Sequence, residues 1–305
     1  MPESLTGRVL QFTAGVYRIH TPEGTLDCSL RGKAKRDAGE RVAIGDLVTF
    51  EQLDDDSCRI TEVLPRHSRL SRHSLAKRRE QVLAANVDQV AAVFAVARPE
   101  PDVRLLDRLL AVAELHDLPA LIVANKTDLA VEGGVPPEIA AYATIGYPVL
   151  PTCAKTGAGM TALQERLRGR ITVFTGPSGV GKSSILNAIL PDLDLRVGTV
   201  GEKSGKGKHT TSAGLLIPLP GSGYLADTPG IQNFEPAGVD PADLAHAFVE
   251  FRPLIERCRF SNCRHRTEPG CAVLQAVADG AVHEHRYASY LSLLEIAEDS
   301  REYGA

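Results

Sequence analysis

Hydrophobic and polar residues alternate over short stretches of the first 65 residues. Turn-forming residues such as Pro22 and Gly24 separate the stretches, a pattern typical of half-buried antiparallel strands joined by tight turns. We predict five strands, at residues 8–13, 15–20, 25–30, 46–51 and 58–64. Five short strands in so small a segment predict an OB-like barrel, an architecture that often binds RNA, although such a barrel can also serve only to pack against its neighbour.

Longer apolar runs replace the alternation after residue 80. Parallel strands that are buried on both faces have this continuous apolar character. Their alternation with amphipathic segments predicts an α/β domain with a doubly wound, mainly parallel sheet. We predict strands at 90–96, 120–124, 147–150, 171–175 and 223–226, and helices at 103–115, 160–167 and 184–190.

These patterns divide the chain into four segments. We expect an OB-fold-like RNA-binding barrel at 1–65, a basic linker at 66–80, the α/β domain at 81–236 and a helical metal-binding unit at 237–305. The 305 residues are 43% hydrophobic and 24% charged, which excludes a wholly disordered or collagen-like chain. The longest apolar run, 90–97, is too short to cross a membrane, and no signal peptide is visible at the N-terminus. We therefore expect a cytoplasmic protein.

A glycine-rich loop follows the predicted strand at 171–175. Residues 176–183 fit the pattern G-x-x-x-x-G-K-[ST], and a helical segment follows the loop. In this context backbone N–H groups and the helix N-terminus bind phosphate oxygens. Lys182 is expected to reach the β- and γ-phosphates, and the Ser183 hydroxyl to bind Mg²⁺. The expected nucleotide contacts here are Gly176, Pro177, Ser178, Gly179, Val180, Gly181, Lys182, Ser183 and Ser184.

Two further motifs indicate which base the nucleotide carries. The sequence N-K-x-D at 125–128 follows a predicted strand, and its aspartate can accept two hydrogen bonds from guanine, whereas adenine lacks that pair of donors. The sequence T-C-A-K at 152–155 is similar to a loop whose backbone amide meets the guanine O6. Together they predict GTP and GDP as ligands, bound at Asn125, Lys126, Thr127, Asp128, Cys153, Ala154 and Lys155.

A third group of residues is expected to respond to the γ-phosphate. The sequence D-T-P-G offers the Asp227 carboxylate to the Mg²⁺ shell and the Gly230 N–H to the γ-phosphate. Residues 201–212, rich in Gly, Lys and Thr, are expected to form a mobile switch in which Thr210 or Thr211 senses that phosphate. The base motifs precede the phosphate loop, whereas an ordinary GTPase begins with its phosphate loop. This order predicts a circularly permuted GTPase.

With these motifs in this order, the chain resembles the RsgA (YjeQ) family of circularly permuted GTPases that assist late assembly of the small ribosomal subunit. The resemblance covers the whole chain, whereas the motif spacing by itself indicates only GTP binding. It implies turnover that is slow alone and faster on the ribosome, with the small subunit and its rRNA as partners. We also expect a monomer without a membrane partner. GTP would order the switch and favour subunit binding, and hydrolysis would favour release.

The position that orients the attacking water departs from the usual pattern. Many GTPases place a glutamine directly after the Asp-x-x-Gly element, but this chain has Ile231, which has no hydrogen-bonding group. His209, beside the switch threonines, is a candidate polar helper, although it can equally contact solvent or RNA. We expect the catalytic set to be Lys182, Ser183, Asp227, Gly230, Thr211 and His209.

A cysteine and histidine group near the C-terminus predicts a metal site. Three thiolates and one imidazole satisfy tetrahedral zinc without an open position, so we expect one structural Zn²⁺. A disulfide framework is the competing interpretation, and it fits poorly with a cytoplasmic chain. We expect Cys28, Cys58 and Cys153 to be isolated packing residues. The expected zinc ligands are Cys258, Cys263, His265 and Cys271.

The formal net charge of −4 hides an uneven distribution of charge. Residues 66–79 contain six Lys or Arg and no acid, and residues 31–36 form a basic loop. Four arginines, at 257, 259, 264 and 266, lie among the predicted zinc ligands. These clusters can contact RNA phosphates or form solvated faces, so the total charge does not exclude a nucleic-acid partner.

Two other functions are compatible with parts of the sequence. An RNA-binding module with a mainly structural, poorly hydrolysing nucleotide site is favoured by Ile231, whereas the intact Lys182 and Ser183 favour a GTPase. An ATPase is disfavoured by Asn125 and Asp128, because the base motif they belong to recognises guanine.

Overall fold

The computed structural model describes residues 5–30, 42–53, 57–74, 79–130, 134–190, 214–227 and 239–302. The basic loop and the switch predicted from sequence lie outside the described residues, as do Thr210, Thr211, His209, Gly230 and Ile231. Within the described ranges, no helix is both long and apolar enough to span a bilayer.

The N-terminal part is a closed five-stranded barrel. Around the barrel the strands follow the order β1-β2-β3-β5-β4, and only β3 and β5 are parallel neighbours. Alternate side chains point inward, so Val9, Ile19, Val48, Phe50 and Ile60 form the core. The predicted OB-like barrel is confirmed. Its strands are β1 (Leu5–Thr13), β2 (Val16–Thr21), β3 (Gly24–Leu30), β4 (Leu47–Gln52) and β5 (Ser57–Val63).

The barrel core contains a disulfide between Cys28 and Cys58. The two residues are direct partners in the parallel β3–β5 pair, with Cα atoms 4.5 Å apart. The expectation that both are isolated packing residues is therefore wrong: they are 30 residues apart in sequence, and only the register of β3 and β5 brings them together. Cys153, in contrast, is a buried free cysteine, as expected.

Part of the segment predicted as a basic linker is a strand. β6 (Arg69–Ser74) pairs antiparallel with β7 (Arg79–Ala85) in a two-stranded ribbon. The ribbon is a separate sheet, and a backbone hydrogen bond joins it to the residues that precede β4, because the Ala85 N–H donates to the Ile44 carbonyl at 2.8 Å. Backbone pairing thus fixes this segment relative to the barrel.

Arg66 is structural rather than part of an open basic surface. Its side chain is 11% exposed, and its guanidinium bonds the fully buried Asp46 carboxylate, with Nε–Oδ1 at 2.6 Å and Nη2–Oδ2 at 2.8 Å. A buried carboxylate without a partner would be costly, so this pair is needed where it lies. Arg66 therefore has to be removed from the predicted RNA-binding cluster.

Six strands form the central sheet, in the order β10-β9-β8-β11-β13-β12. All neighbouring pairs are parallel except β12 and β13. Because the carboxyl ends of parallel strands meet at one edge, the loops that follow β8, β9, β10 and β11 share that edge. The mainly parallel sheet is confirmed. Its strands are β8 (Gln89–Ala95), β9 (Ala120–Asn125), β10 (Val149–Pro151), β11 (Ile171–Thr175), β12 (Leu215–Pro218) and β13 (Tyr224–Asp227).

Helices cover both faces of this sheet. Leu106 and Ile139 pack on one face, from α1 and α2, and Leu163 and Ile185 pack on the other, from α3 and α4. This two-sided cover explains why the central strands are apolar along their whole length. The helices are α1 (Val103–Leu115), α2 (Pro137–Ala140), α3 (Met160–Leu167) and α4 (Lys182–Ile189).

The C-terminal module is helical and has an aromatic core. Phe248 and Phe251 stack with ring centroids 5.2 Å apart, and the Tyr290 ring meets both edge-on. Ala111 of α1 belongs to the same apolar cluster, so the module packs directly on the α/β domain. Its helices are α5 (Pro241–Leu244), α6 (Arg252–Ile255), α7 (Ala272–Ala278) and α8 (Glu284–Glu302).

Candidate nucleotide site and metal centre

The phosphate loop connects β11 to α4, as predicted. Gly176 has φ +139°, and a Cβ there would lie 2.0 Å from the Val93 carbonyl oxygen of the neighbouring strand β8. The chain therefore needs glycine where the loop leaves the sheet. The Lys182 ammonium donates to the carbonyl oxygens of Gly176 and Pro177 at 2.6 and 2.7 Å, which holds it inside the loop.

Asn125 joins the base-recognition strand to the phosphate loop. Its side-chain amide nitrogen donates to the Val180 carbonyl at 2.9 Å. Its Oδ1 accepts from the Thr152 hydroxyl and the Ala154 N–H, both at 3.3 Å. A Cβ at Gly181 would lie 2.3 Å from the Asn125 Nδ2. One buried amide thus fixes the positions of three loops.

Lys126 spans the same edge of the sheet. Its backbone is left-handed, with φ 64°, and its ammonium donates to the Arg98 carbonyl at 2.6 Å and to the Gly179 carbonyl at 2.5 Å. The aliphatic part of this side chain therefore lies between the loop after β8 and the phosphate loop. This side chain therefore joins two loops beside the predicted base site.

Asp128 is held by the T-C-A-K loop. The Cys153 thiol donates to Asp128 Oδ1 at 3.2 Å, and the Lys155 ammonium lies 4.0 Å from Oδ2. Thr127 also joins the two loops, because its N–H and hydroxyl both donate to the Thr152 carbonyl. The Asp128 side chain keeps a quarter of its surface exposed, so its carboxylate can accept hydrogen bonds from a ligand.

The sheet also brings Asp227 close to the phosphate loop. β13 runs parallel to β11, and Ala226 pairs with Val173, so Asp227 lies beside the last residues of β11 before the loop. The base motifs, the phosphate loop and Asp227 therefore come together at one edge, although they are up to 102 positions apart along the chain.

The four predicted zinc ligands converge. One ligand atom from each of Cys258, Cys263, His265 and Cys271 lies within 4.8 Å of every other. Sγ of Cys258 is 3.9 Å from that of Cys271, and His265 Nδ1 is 3.6 and 3.3 Å from these two sulfurs. Tetrahedral zinc with bonds of about 2.3 Å to sulfur requires edges of about 3.8 Å, so this donor set fits the ion.

Backbone hydrogen bonds shape the loop that carries these ligands. The Glu268 carboxylate accepts from the N–H groups of Arg264, Arg266 and Thr267 at 2.6–3.0 Å. Burial by itself raises the pKa of Glu268, but these N–H groups lower it more strongly, to about 2. Burial also raises the pKa of the Cys263 thiol, to about 12.

Comparison with known proteins gives the family. A family model described as RsgA GTPase matches residues 63–237, and one described as RsgA N-terminal domain matches residues 6–60. The chain belongs to the RsgA GTPase family. It is a GTP-hydrolysing enzyme with a circularly permuted α/β domain, as its motif order predicted.

RsgA proteins of known sequence and structure are similar along almost the whole chain. A small ribosomal subunit biogenesis GTPase RsgA from Gemmatimonas aurantiaca is 43% identical, over 96% of this chain and 97% of the relative. Another, from Moorella thermoacetica, is 41% identical over 95% and 96%. YjeQ from Thermotoga maritima superposes with a TM-score of 0.76 at 34% identity, over 95% of this chain and 97% of that structure. YloQ, a circularly permuted GTPase, also gives 0.76, at 29% identity over 97% and 96%.

One part of the site was missed by sequence reasoning. The loop after β8 contributes the Arg98 carbonyl to Lys126, and Pro99 Cδ would lie 3.8 Å from a Cβ at Gly179. The strand order explains this contact. Because β8 is the neighbour of both β9 and β11, the loop at its carboxyl end lies between the loops that follow those two strands.

Proposed function

We propose that this GTPase acts in late maturation of the small ribosomal subunit. It binds the subunit and its rRNA in the GTP state, hydrolyses GTP faster when bound, and leaves after hydrolysis. The observation that carries the proposal is the similarity over 95% or more of the chain to relatives named small ribosomal subunit biogenesis GTPases.

The nucleotide lies along the edge formed by the loops after β9, β10 and β11. Asp128 accepts hydrogen bonds from guanine, a backbone N–H of the loop at 152–155 donates to the guanine carbonyl, and Lys126 packs along the base. Residues 176–184 bind the phosphates, and Lys182 moves from its loop carbonyls to phosphate oxygens. Because Asn125 bonds both the base loops and Val180, the distance between the base and phosphate sites is fixed before the nucleotide binds.

Catalysis relies on charge stabilisation of the transferred phosphoryl group. Ser183 and Asp227 would hold Mg²⁺, which would supply positive charge to offset the negative charge of the phosphates. Lys182 adds a second positive charge, and Gly230 donates its N–H to the γ-phosphate. Thr211 senses the γ-phosphate, and His209 assists the attacking water in place of Ile231, which cannot hydrogen-bond it.

The other units serve structure and subunit binding. The barrel at 1–65 and the module at 237–305 flank the GTPase domain at 81–236, and 66–80 joins the barrel to it. Zinc at the Cys258 cluster is structural, because four protein ligands leave no open position. The protein acts as a monomer in the cytoplasm.

The zinc loop offers a surface suited to RNA. Arg257 and Arg259 are exposed, and within the described residues neither pairs with a carboxylate. Phe260 is 40% exposed and the Arg259 guanidinium lies 5.4 Å above its ring. The Glu268 carboxylate accepts backbone N–H groups and, within the described residues, forms no ion pair with these arginines. Cations around an exposed ring bind phosphates and unpaired bases.

Phosphate release from GTP, titrated with purified small subunits at several salt concentrations, tests the function. We expect turnover to rise with subunit concentration and the stimulation to weaken with salt. If the subunits bind but never stimulate release, the RNA-binding module with a structural nucleotide site, which Ile231 favours, is the correct function. If the subunits do not bind at all, the ribosomal role is wrong.

A further inference from the structure

A buried cluster of charges joins the zinc module to the GTPase domain. Arg286 of α8 is 2% exposed, and its guanidinium bonds the Glu250 carboxylate through Nε at 2.6 Å and Nη2 at 3.0 Å. Its Nη1 bonds Asp107 of α1 at 2.8 Å, and the Asp107 side chain is fully buried. Nothing in the nucleotide or zinc chemistry uses these residues.

Aromatic groups enclose the cluster. The Tyr142 hydroxyl also donates to Asp107, and the Arg286 guanidinium lies 4.6 Å from the Phe248 ring and 5.7 Å from the Tyr142 ring. Burial lowers the pKa of Arg286, but the bonds to Glu250 and the charge of Asp107 raise it further, so the group stays charged. The position of the Arg286 guanidinium is thus fixed by groups of both the GTPase domain and the zinc module.

Such a cluster is poorly explained as a source of stability. Two carboxylates share one guanidinium, and within the described residues Asp107 Oδ2 is a buried atom without a hydrogen-bond partner. Apolar side chains of similar volume would seal the interface at no greater desolvation cost. The charges instead fix the orientation of the two helices, because the planar guanidinium can bond both carboxylates in only one position of α8 relative to α1.

Helix α1 continues from this cluster to the nucleotide site. Its N-cap is Asp102, five residues before Asp107, or about 7.5 Å at 1.5 Å per residue. The preceding loop presents the Arg98 carbonyl to Lys126, and the same ammonium bonds Gly179 of the phosphate loop. The cluster is therefore less than two helical turns from a loop that shares a side chain with the phosphate loop.

We propose that Arg286 couples the position of the zinc module to the nucleotide site through α1. The module has a docked position, set by Asp107 and Glu250, and nucleotide at the phosphate loop stabilises it through Lys126 and the Arg98 loop. By linkage, loss of the docked position weakens nucleotide binding by the same factor. Arg286 is a positioning residue, and this coupling goes beyond the proposed ribosomal role because it is a property of the free protein.

The same interface contains a matched control. Arg252 of α6 bonds Glu114 near the far end of α1 at 2.6 Å, but its side chain is 46% exposed. This pair joins the same module to the same helix through a half-exposed arginine, seven residues further from the nucleotide site than Asp107. Loss of the Arg252–Glu114 pair should therefore leave the position of α8 relative to α1, which Arg286 sets, unchanged.

The first test measures nucleotide affinity with fluorescent mant-GDP. We expect Arg286→Lys and Asp107→Asn each to weaken binding about five- to tenfold, in the range of ordinary coupling factors. Arg252→Gln should stay within about twofold of the wild type. Zinc content of one ion per chain, determined by colorimetric chelation, verifies that each variant keeps its module. If folded Arg286→Lys and Asp107→Asn proteins bind mant-GDP as tightly as the Arg252→Gln control, the coupling is absent.

The reciprocal test is decided on the wild-type protein, so its outcome does not depend on the folding of a variant. Hydrogen exchange of the wild-type protein is compared with and without saturating GDP. We expect GDP to slow exchange in the phosphate loop and also in α6 and α8. In Arg286→Lys the protection at 176–184 should persist while that in the module is lost. If GDP leaves the amides of α6 and α8 of the wild type unchanged, the proposal is wrong. Neither readout involves ribosomes, so failure of the ribosomal role would not affect this result.

Discussion

Single side chains at the nucleotide edge serve more than one loop. Asn125 bonds the phosphate loop and the T-C-A-K loop, and Lys126 bonds the phosphate loop and the loop after β8. Because each atom has a fixed partner, a change at one residue moves its neighbours as well. Substitutions here should therefore affect nucleotide binding more than they affect the free energy of unfolding.

Asp128→Asn should change the base that the protein prefers. An amide cannot accept both guanine donors, so GDP affinity should fall roughly 100-fold, as expected for loss of bonds to a charged acceptor. Xanthosine diphosphate, which presents an acceptor in place of the amine, should bind more tightly than to the wild type. Competition against mant-GDP measures both. Asp117→Asn, the same substitution at an exposed residue just after α1, is the control and should bind GDP normally. If Asp128→Asn binds GDP as tightly as the wild type, Asp128 does not contact the guanine base.

Gly181→Ala combines backbone strain with a collision. Gly181 has φ +98°, and its Cβ would meet the Asn125 amide at 2.3 Å, whereas Gly146 has a similar φ of +102° with open space around it. Both substitutions should lower the free energy of unfolding by about 1–2 kcal/mol, measured in urea. Only Gly181→Ala should also weaken GDP binding, by at least about tenfold. Equal GDP affinities in the two variants would show that Asn125 does not hold the loop.

At the scale of elements, strand register decides which residues meet. The carboxyl ends of β8, β9, β10 and β11 bring the base and phosphate loops to one edge of the sheet, and the pairing of β3 with β5 brings Cys28 to Cys58. Neither meeting depends on closeness in sequence. The position of each strand in its sheet therefore decides which side chains become neighbours.

Removal of the barrel disulfide should destabilise the barrel without affecting the nucleotide site. A Cys28→Ser, Cys58→Ser protein should lose about 3–4 kcal/mol of unfolding free energy under oxidising conditions, the value expected for a closed loop of 30 residues. Urea unfolding with and without reductant measures it, and reductant should abolish the difference from the wild type. mant-GDP affinity should be unchanged. A difference that persists in reductant would mean that lost packing, not the bond, is responsible.

At the scale of the whole molecule, the flanking units contact different parts of the GTPase domain. The barrel meets the beginning of β13, where His20 Nδ1 lies 2.9 Å from the Tyr224 hydroxyl and Arg8 lies over the same ring. The module meets α1 through Arg286 and Arg252. The barrel thus holds the end of the sheet away from the phosphate loop, and the module holds a helix that leads toward it.

The basic surface of the zinc loop should govern the salt dependence of subunit binding. An Arg257→Gln, Arg259→Gln protein should bind small subunits more weakly and with a log–log salt slope smaller by roughly 1–2. Filter binding at several salt concentrations measures the slope. Arg266→Gln is the matched control, because Arg266 already pairs with Glu298 at 2.7 Å and should change the slope less. Equal slopes for the double variant and the wild type would exclude this surface from the RNA interface.

Much of the local structure followed from the sequence. The helices at 103–115 and 160–167 and the strand at 171–175 have the predicted bounds, because each is an apolar pattern with a clear period. The guanine, phosphate and zinc motifs were recognisable because their chemistry requires particular residue types at short spacing. The first base motif contacts the phosphate loop. Separately, the four side chains of the cysteine and histidine group converge on one another.

The sequence by itself determined the elements with a clear hydrophobic period, the permuted order and the chemistry of the motifs, since these depend on neighbours along the chain. Tertiary structure decided which distant residues became partners. It paired Cys28 with Cys58, turned Arg66 inward to Asp46, and buried Arg286 between Asp107 and Glu250. In each case the physical reason is the same: burial makes an unpaired polar or charged group costly, and only the folded packing shows which group is buried and what lies beside it.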